Sequence, residues 1–154
     1  MNFLAIDTAN EYLTVIASKA GKAKVLFEPQ CGMQHSVRLM GAVEEALAGA
    51  DLPLGECDFF AAVTGPGSFT GIRIGISAAK GFCPALKKPA PGITTFQTLA
   101  YNAEGDCLSA VPAGRGFYYV CPFGENKQIL SAPSRADEET LFRLAERYAV
   151  YSYF

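Results

Sequence analysis

The sequence is poor in the residues that build several common kinds of functional site. It has a single histidine, His35, and only 18% of its residues are charged. One histidine leaves no pair for a zinc site, and no G-x-S-x-G element accompanies it to make a serine nucleophile. No two of the five cysteines form a Cys-x-x-Cys pair, which excludes zinc knuckles and redox dithiols. We therefore expect no metal ligand set, no catalytic residues, and cysteines that are buried free thiols.

Positive charge and long apolar runs are also scarce. Thirteen lysines and arginines stand against fifteen acidic residues, which gives a net charge of −2 and an isoelectric point near 5.4. This balance disfavours a basic nucleic-acid-binding domain. No apolar run reaches the ~18 residues that cross a bilayer, and the first residues lack the basic region of a signal peptide. These absences predict a cytoplasmic protein without membrane contact.

What the sequence has is apolar residues in a chain of moderate length. Hydrophobic residues make up 50% of the 154 positions, which allows one domain or two very small ones. This composition excludes disordered, collagen-like and coiled-coil chains. With so few charges to cover its outside, the protein is expected to expose some apolar surface to a partner.

The first part of the chain predicts a hairpin followed by alternating strands and helices. Short apolar runs indicate three strands, and the Ala20-Gly21 step joins the second to the third. A helix is expected from an N-cap at Ser36 to about Ala50, and the strongest helical pattern follows the loop at residues 64–70. This order favours an α/β fold with a mixed sheet, and we assign it to residues 1–104.

The remaining residues, 105–154, predict the opening of a second copy of the same layout. Two strands flank residues 113–116, a third is expected at residues 127–131, and a helix starts near Asp137. No sequence repeat accompanies the pattern. The expectation is therefore two similar halves, of which the second is truncated.

Residues 65–75, which read G-P-G-S-F-T-G-I-R-I-G, join an all-apolar strand to a helix. Pro66-Gly67 is typical of a type II turn, and Ser68 or Thr70 can cap the helix. A glycine loop at a helix N-terminus can hold an anion through backbone N–H groups, although this one lacks the Gly-Lys-Ser/Thr of a Walker A loop. A phosphate site and a tight turn without a ligand both satisfy the pattern.

Gly71, Gly75 and Ala79 form a row of small residues on this helix, because they are spaced by four. Glycine inside a helix costs ~1 kcal/mol relative to alanine, so a close contact should compensate for it. The contact is either with a partner's backbone or with the protein's own sheet. We expect a partner interface, in which Gly75→Arg abolishes binding and leaves the melting temperature nearly unchanged.

Three features together resemble the bacterial TsaB (YeaZ) family. They are the N-terminal F-L-A-I-D-T at residues 3–8, the helix that begins at His35-Ser36, and above all the glycine loop at residues 65–75. The resemblance implies an actin-like (ASKHA) α/β fold built of ribonuclease-H-like halves. It also implies a non-catalytic, accessory role in making threonylcarbamoyladenosine on tRNA. The implied partners are a TsaD-like paralogue that performs the transfer and a TsaE-like ATPase, with tRNA involved indirectly.

The resemblance also implies two sets of site residues. In actin-like phosphotransferases a carboxylate and a hydroxyl after the first strand meet metal and phosphate, so a vestigial phosphate loop would comprise Asp7, Thr8, Ser68 and Thr70. Ala9 stands where the family usually has serine, so we expect no cofactor of its own and ATP or ADP binding only within the complex. The partner interface would lie on the helices that begin near Ser36 and Thr70 and would comprise Met40, Val43, Leu47, Gly71, Gly75 and Ala79.

Two other functions remain open from the sequence. A small actin-like ATPase or kinase would use Asp7, Thr8 and the loop at Ser68, but no candidate base is present. A homodimeric interaction module without a role in tRNA modification would use the same helices as the accessory subunit. Only the accessory role demands a TsaD-like partner.

Overall fold

The computed structural model describes residues 1–153, and their contacts group into two compact units. The first unit comprises Met1–Thr64 and Ser68–Ile93. The second comprises Gly65–Gly67 and residues 94–153. The boundary predicted from the sequence lies after residue 104, whereas the contacts group the short helix before that point with the second unit.

The first unit is built on a five-stranded mixed sheet. Its strands are β1 (Phe3–Asp7), β2 (Leu13–Lys19), β3 (Lys22–Glu28), β4 (Phe59–Val63) and β5 (Gly92–Ile93). The order across the sheet is β3-β2-β1-β4-β5. The pairs β1–β2 and β2–β3 are antiparallel, whereas β1–β4 and β4–β5 are parallel. This is the hairpin with a parallel extension that the element order predicts.

Two helices, α1 (His35–Gly49) and α2 (Phe69–Leu86), contribute to the core of this unit. Alternate residues of the central strands, such as Leu4 and Ile6, point to the helices and are buried. Phe60 of β4 is fully buried in the same cluster. The helix expected up to about Ala50 is confirmed as α1, and its apolar residues Leu39 and Val43 lie in this core.

The second unit contains a four-stranded mixed sheet with two helices. The elements are α3 (Thr95–Ala100), β6 (Cys107–Gly114), β7 (Phe117–Phe123), β8 (Ser134–Asp137), α4 (Glu138–Ala145) and β9 (Ala149–Tyr151). The order is β8-β7-β6-β9, in which β6–β7 and β7–β8 are antiparallel and β6–β9 is parallel. Helix α3 packs on one face of this sheet and α4 on the other.

The second sheet reproduces the first in order and direction. Strands β6, β7, β8 and β9 correspond to β1, β2, β3 and β4, and α4 occupies the position of α1 between the third and fourth strands. The second copy of the layout, predicted from the element pattern, is therefore confirmed over these elements. The mixed α/β class is confirmed as well.

Three local predictions are wrong. The third strand of the second unit, predicted at residues 127–131, is instead Ser134–Asp137. Residues 124–128 form a turn, in which the Gly124 N–H donates to the Gln128 carbonyl at 2.9 Å. Ser36 is not an N-cap, since α1 begins at His35 directly after a 3₁₀ turn. Gly67 has φ of 159°, which is not the value near +80° that a type II turn requires.

We expect Phe60→Ala to lower the free energy of unfolding by about 3–5 kcal/mol, because it removes a fully buried ring from the core. Phe69→Ala is the control in the same unit, since this ring is 75% exposed and should cost less than ~1 kcal/mol. Urea denaturation measures both. Equal losses for the two variants would contradict the core described here.

Candidate functional site

The glycine loop and the end of β1 meet at the N-terminus of α2. Of the two N-cap candidates, Ser68 and Thr70, the structure has Ser68, whose Oγ accepts a hydrogen bond from the Gly71 N–H at 3.2 Å. The Ser68 N–H donates to the Ala9 carbonyl at 2.6 Å. Thr8 is buried, and its Oγ1 donates to the Gly71 carbonyl at 2.7 Å. The loop and the strand end are thus joined by direct hydrogen bonds in both directions.

The residues predicted as a phosphate loop are therefore engaged with the protein itself. Asp7, Thr8 and Ser68 lie on these two neighbouring segments, and Asp7 Oδ1 accepts from the Ala9 N–H at 2.8 Å. Thr70 is exposed and lies apart from them, on a groove between α1 and α2. An anion at this helix end would compete with intrachain partners for the Ser68 and Gly71 N–H groups.

The small-residue row packs inside the protein, so its prediction as a partner interface is wrong. Gly71, Gly75 and Ala79 are all buried on the side of α2 that faces the sheet. A Cβ on Gly71 would lie 1.9 Å from the Thr8 carbonyl oxygen, and one on Gly75 would lie 2.6 Å from Thr8 Oγ1. Glycine is required there because Thr8, the residue directly after β1, occupies the space of a side chain.

Two residues of α1 assigned to the same interface also face inward. Val43 is buried in the core, and Leu47 packs partly buried against it. The reason is that the stripe at spacing four, which marks them, is the core stripe of the helix. Of the six residues predicted for the interface, only Met40 is exposed, with 48% of its surface accessible.

One exposed apolar surface of this unit lies beside that stripe, along a groove between α1 and α2. The groove is open, has a volume of about 470 Å³, and is lined by Ser36, Leu39, Met40, Thr70, Arg73, Ile74, Ser77 and Ala78. Beyond this lining, α1 and α2 also carry Val37 and Phe69, which are 80% and 75% exposed. The Arg73 guanidinium stacks over the Phe69 ring at 5.1 Å. We define Val37, Met40, Phe69, Arg73 and Ile74 as the α1–α2 face.

Sequence reasoning missed Val37, Phe69 and Ile74. The usable signal was an apolar residue outside the core stripe of its helix. On α1, Val37 and Met40 are three apart, which places them together on a second strip beside the Leu39–Val43 stripe. A helix with a second apolar strip buries one and leaves the other for a partner.

The single histidine and most of the cysteines lie inside the protein. His35 is buried, and its Nε2 lies 2.9 Å from the Tyr12 carbonyl oxygen. All five cysteines are free thiols, and burial raises the pKa of Cys121 to about 11. Among residues 1–153, no group of three or more histidine, cysteine and acidic side chains is placed to hold a metal ion, and no helix is long and apolar enough to cross a membrane.

Comparisons with known proteins agree on one family. A family model described as TsaD: tRNA N6-adenosine threonylcarbamoyltransferase matches residues 28–148. The tRNA threonylcarbamoyladenosine biosynthesis protein TsaB of Escherichia coli (strain K12) is 35% identical over 124 residues, and that of Bacillus subtilis (strain 168) is 33% identical over 123. These matches cover 77% and 78% of this chain but 53% and 54% of the relatives. The chain thus spans about half the length of the curated relatives it matches.

A solved structure shows the same fold. YeaZ from Pseudomonas aeruginosa superposes with a TM-score of 0.84 at 23% identity, over 99% of this chain and 84% of that one. Together with the two mixed sheets, this match confirms the mixed α/β fold and shows that the chain shares the fold of YeaZ.

Substitution of the α2 glycines tests whether the row is internal. Gly71→Ala and Gly75→Ala should each destabilise the protein by about 1–3 kcal/mol, because the added methyl group collides with Thr8. Gly81→Ala is the matched control on the same helix: nothing lies within 4 Å of its Cβ position, so alanine should stabilise the protein by about 0.5–1 kcal/mol. Thermal denaturation measures all three. Stabilisation of all three variants would show that Gly71 and Gly75 do not pack against Thr8 and that the row is not internal.

Proposed function

Because the chain belongs to the TsaB (YeaZ) family, we propose that it is a non-catalytic subunit for threonylcarbamoyladenosine modification of tRNA in the cytoplasm. In this role it docks a TsaD-like paralogue through the α1–α2 face and supports the partner's active arrangement. A TsaE-like ATPase joins the pair, and tRNA is bound by the assembly. The observation that carries the proposal is the exposed apolar face between α1 and α2.

The face has the chemistry of a helix-docking surface. Its centre is apolar, with Met40 and Ile74 on opposite sides of the groove, and Arg73 is its charged member. Neighbouring helices that leave an open groove accept the ridge of a further helix. A TsaD-like partner matches the same family model as this chain, so it would offer a comparable pair of helices. Docking would then pack α1 and α2 of this chain against the corresponding two helices of the partner.

The absence of catalysis by this chain is supported by where its polar groups point. A catalytic base must reach the reacting group, whereas His35 is buried against the Tyr12 carbonyl. The Thr8 hydroxyl donates a hydrogen bond to the Gly71 carbonyl, and the Ser68 hydroxyl caps α2. An ATPase or kinase would need these groups for phosphate and metal. We infer that the chain is an inactive paralogue of an actin-like enzyme.

The nucleotide proposal has a direct test. We expect no measurable ATP hydrolysis by the isolated chain and at most very weak ATP binding, because the hydroxyls of Thr8 and Ser68 are already bonded within the protein. Isothermal titration calorimetry with ATP and Mg²⁺ measures binding, and phosphate release measures hydrolysis. A micromolar Kd for the pure chain would favour the kinase reading instead.

The docking proposal is tested by charge on the α1–α2 face. Met40→Glu and Ile74→Glu should each weaken binding of a purified TsaD-like protein by roughly tenfold or more, since each places a carboxylate in a desolvated contact. Ile129→Glu, at a residue 55% exposed in the second unit, is the matched control and should bind normally. Biolayer interferometry measures the affinity.

A loss of affinity as large for Ile129→Glu as for the other two would contradict the assignment of the face. The same variants distinguish the homodimer. Sedimentation of the chain alone reports self-association, and a dimer that Met40→Glu dissociates uses this face. A chain that forms such a dimer and does not bind the TsaD-like protein would favour the homodimeric module.

A further inference from the structure

The last strand of the first sheet has an unpaired edge. Strand β5 pairs with β4 and with no other strand of residues 1–153. The carbonyls of Pro89, Pro91 and Ile93 accept hydrogen bonds from N–H groups of β4 and the residue after it, at 3.1, 3.3 and 2.8 Å. Because alternate residues of a strand direct their backbone groups to opposite edges, Ala90 and Gly92 direct theirs away from β4. Both residues are exposed, and neither donates a backbone hydrogen bond within residues 1–153.

The two prolines of this segment do not protect the edge. Proline on an edge strand normally hinders the addition of another strand, because it has no N–H to donate. Here the nitrogen atoms of Pro89 and Pro91 lie on the side of β4, and the outer side belongs to Ala90 and Gly92, which keep their N–H groups. The outer edge therefore offers an N–H and a C=O at each of two alternate positions, as an added strand requires.

A small pocket opens beside this edge, on the side of the sheet that α2 covers. Its volume is about 160 Å³, which suits one side chain and is below the ~300 Å³ of the smallest typical small-molecule sites. Apolar residues of β4 and α2, such as Ala62 and Ile76, line it together with the β5 edge, and Lys80 is its charged lining residue. A Cβ on Gly92 would lie 2.7 Å from the Thr64 methyl group, so glycine keeps the pocket open toward the edge.

The elements around the pocket carry positive charge without any negative charge. Residues 59–103 contain no aspartate or glutamate, in a chain whose net charge is −2. Lys80 and Lys87 are exposed, seven residues apart on the same side of α2, and neither forms an ion pair within residues 1–153. Asp58, just before β4, accepts a hydrogen bond from the Asn2 N–H at 2.7 Å. A segment that adds to this edge therefore meets unpaired positive charge, which an acidic segment complements.

We propose that the edge of β5 binds an extended acidic segment of a partner protein, which adds to the first sheet as a strand and places one glutamate side chain in the pocket. The methylene groups of this glutamate pack against Ala62 and Ile76, and its carboxylate pairs with the Lys80 ammonium group. Backbone hydrogen bonds to Ala90 and Gly92 supply affinity, and the pocket supplies specificity for the side chain.

This site is separate from the α1–α2 face. The buried row of small residues on α2 lies between the two: Ile74 and Ala78 line the groove on one side of the row, and Ile76 and Lys80 line the pocket on the other. An acidic segment at β5 leaves the groove free. The inference therefore does not rest on the proposed docking of a TsaD-like partner.

The probe is a short fluorescent peptide in which valine alternates with glutamate, compared with a peptide in which lysine replaces every glutamate. Fluorescence anisotropy measures binding to the full chain, and the amide NMR signals of Ala90 and Gly92 report contact with the edge. We expect the glutamate peptide to bind and to shift both signals. The lysine peptide should not bind at the same concentration.

Lys80→Glu should weaken the affinity for the glutamate peptide by roughly tenfold or more, because it replaces an attractive charge with a repulsive one. Lys22→Glu is the matched control and should bind normally. It makes the same change of net charge at an exposed lysine of β3, on the opposite edge of the same sheet. Ala90→Pro should also weaken binding and leave the melting temperature nearly unchanged, since the N–H that it removes faces away from β4.

No binding at millimolar peptide, or equal affinity for the lysine peptide, would overturn the proposal. An equal loss in Lys22→Glu would also overturn it, because the attraction would then depend only on net charge. The comparison of these two charge variants decides the outcome even if Ala90→Pro does not fold. Lys80→Glu should keep its affinity for the TsaD-like protein, and loss of that affinity would show that the edge is not a separate site.

Discussion

Helix α2 can lie directly against the end of β1 only because two of its residues have no side chain. The Cβ position of Gly71 falls on the Thr8 carbonyl, and that of Gly75 falls on the Thr8 hydroxyl. In return, Thr8 donates a buried hydrogen bond to the helix backbone, and Ser68 caps the helix. This contact positions the glycine loop and the start of α2, and α2 forms one wall of the groove shared with α1. A buried polar contact of this kind holds one geometry, since its loss leaves unsatisfied groups.

The same contact accounts for the character of the loop. A glycine-rich turn between a buried strand and a helix has the features of a phosphate site, and its N–H groups could serve an anion. Here those of Ser68 and Gly71 serve the Ala9 carbonyl and the Ser68 hydroxyl instead. The loop therefore holds the start of α2 in position through hydrogen bonds within the protein. This role agrees with the function we propose. A protein that docks a partner through the α1–α2 face needs a rigid start of α2, and it does not need a bound phosphate there.

The fold could be predicted from the sequence where local pattern decides it. The hairpin, the all-apolar strand before the glycine loop and the second copy of the layout follow from periodicity and turn chemistry, which also leave Ser68 and Thr70 as two N-cap candidates. The third strand of the second unit could not be predicted, because Ser134–Asp137 is polar and gains its place by pairing with β7. The interface residues were misassigned for a related reason. Residue spacing indicates that Gly75 and Val43 each pack closely against another element. Only the tertiary structure shows that this element belongs to the same chain.

The central claim is that this chain acts through a surface and not through a phosphate site. It is tested most directly by reconstituting tRNA threonylcarbamoylation from TsaD-like and TsaE-like proteins, tRNA and this chain. The account predicts that modification falls sharply when the chain is omitted or carries Met40→Glu, and that Asp7→Ala retains most of the activity. Neither substitution replaces Thr8 or Gly71, the two residues that form the buried hydrogen bond to α2. Greater damage from Asp7→Ala than from Met40→Glu would contradict the account.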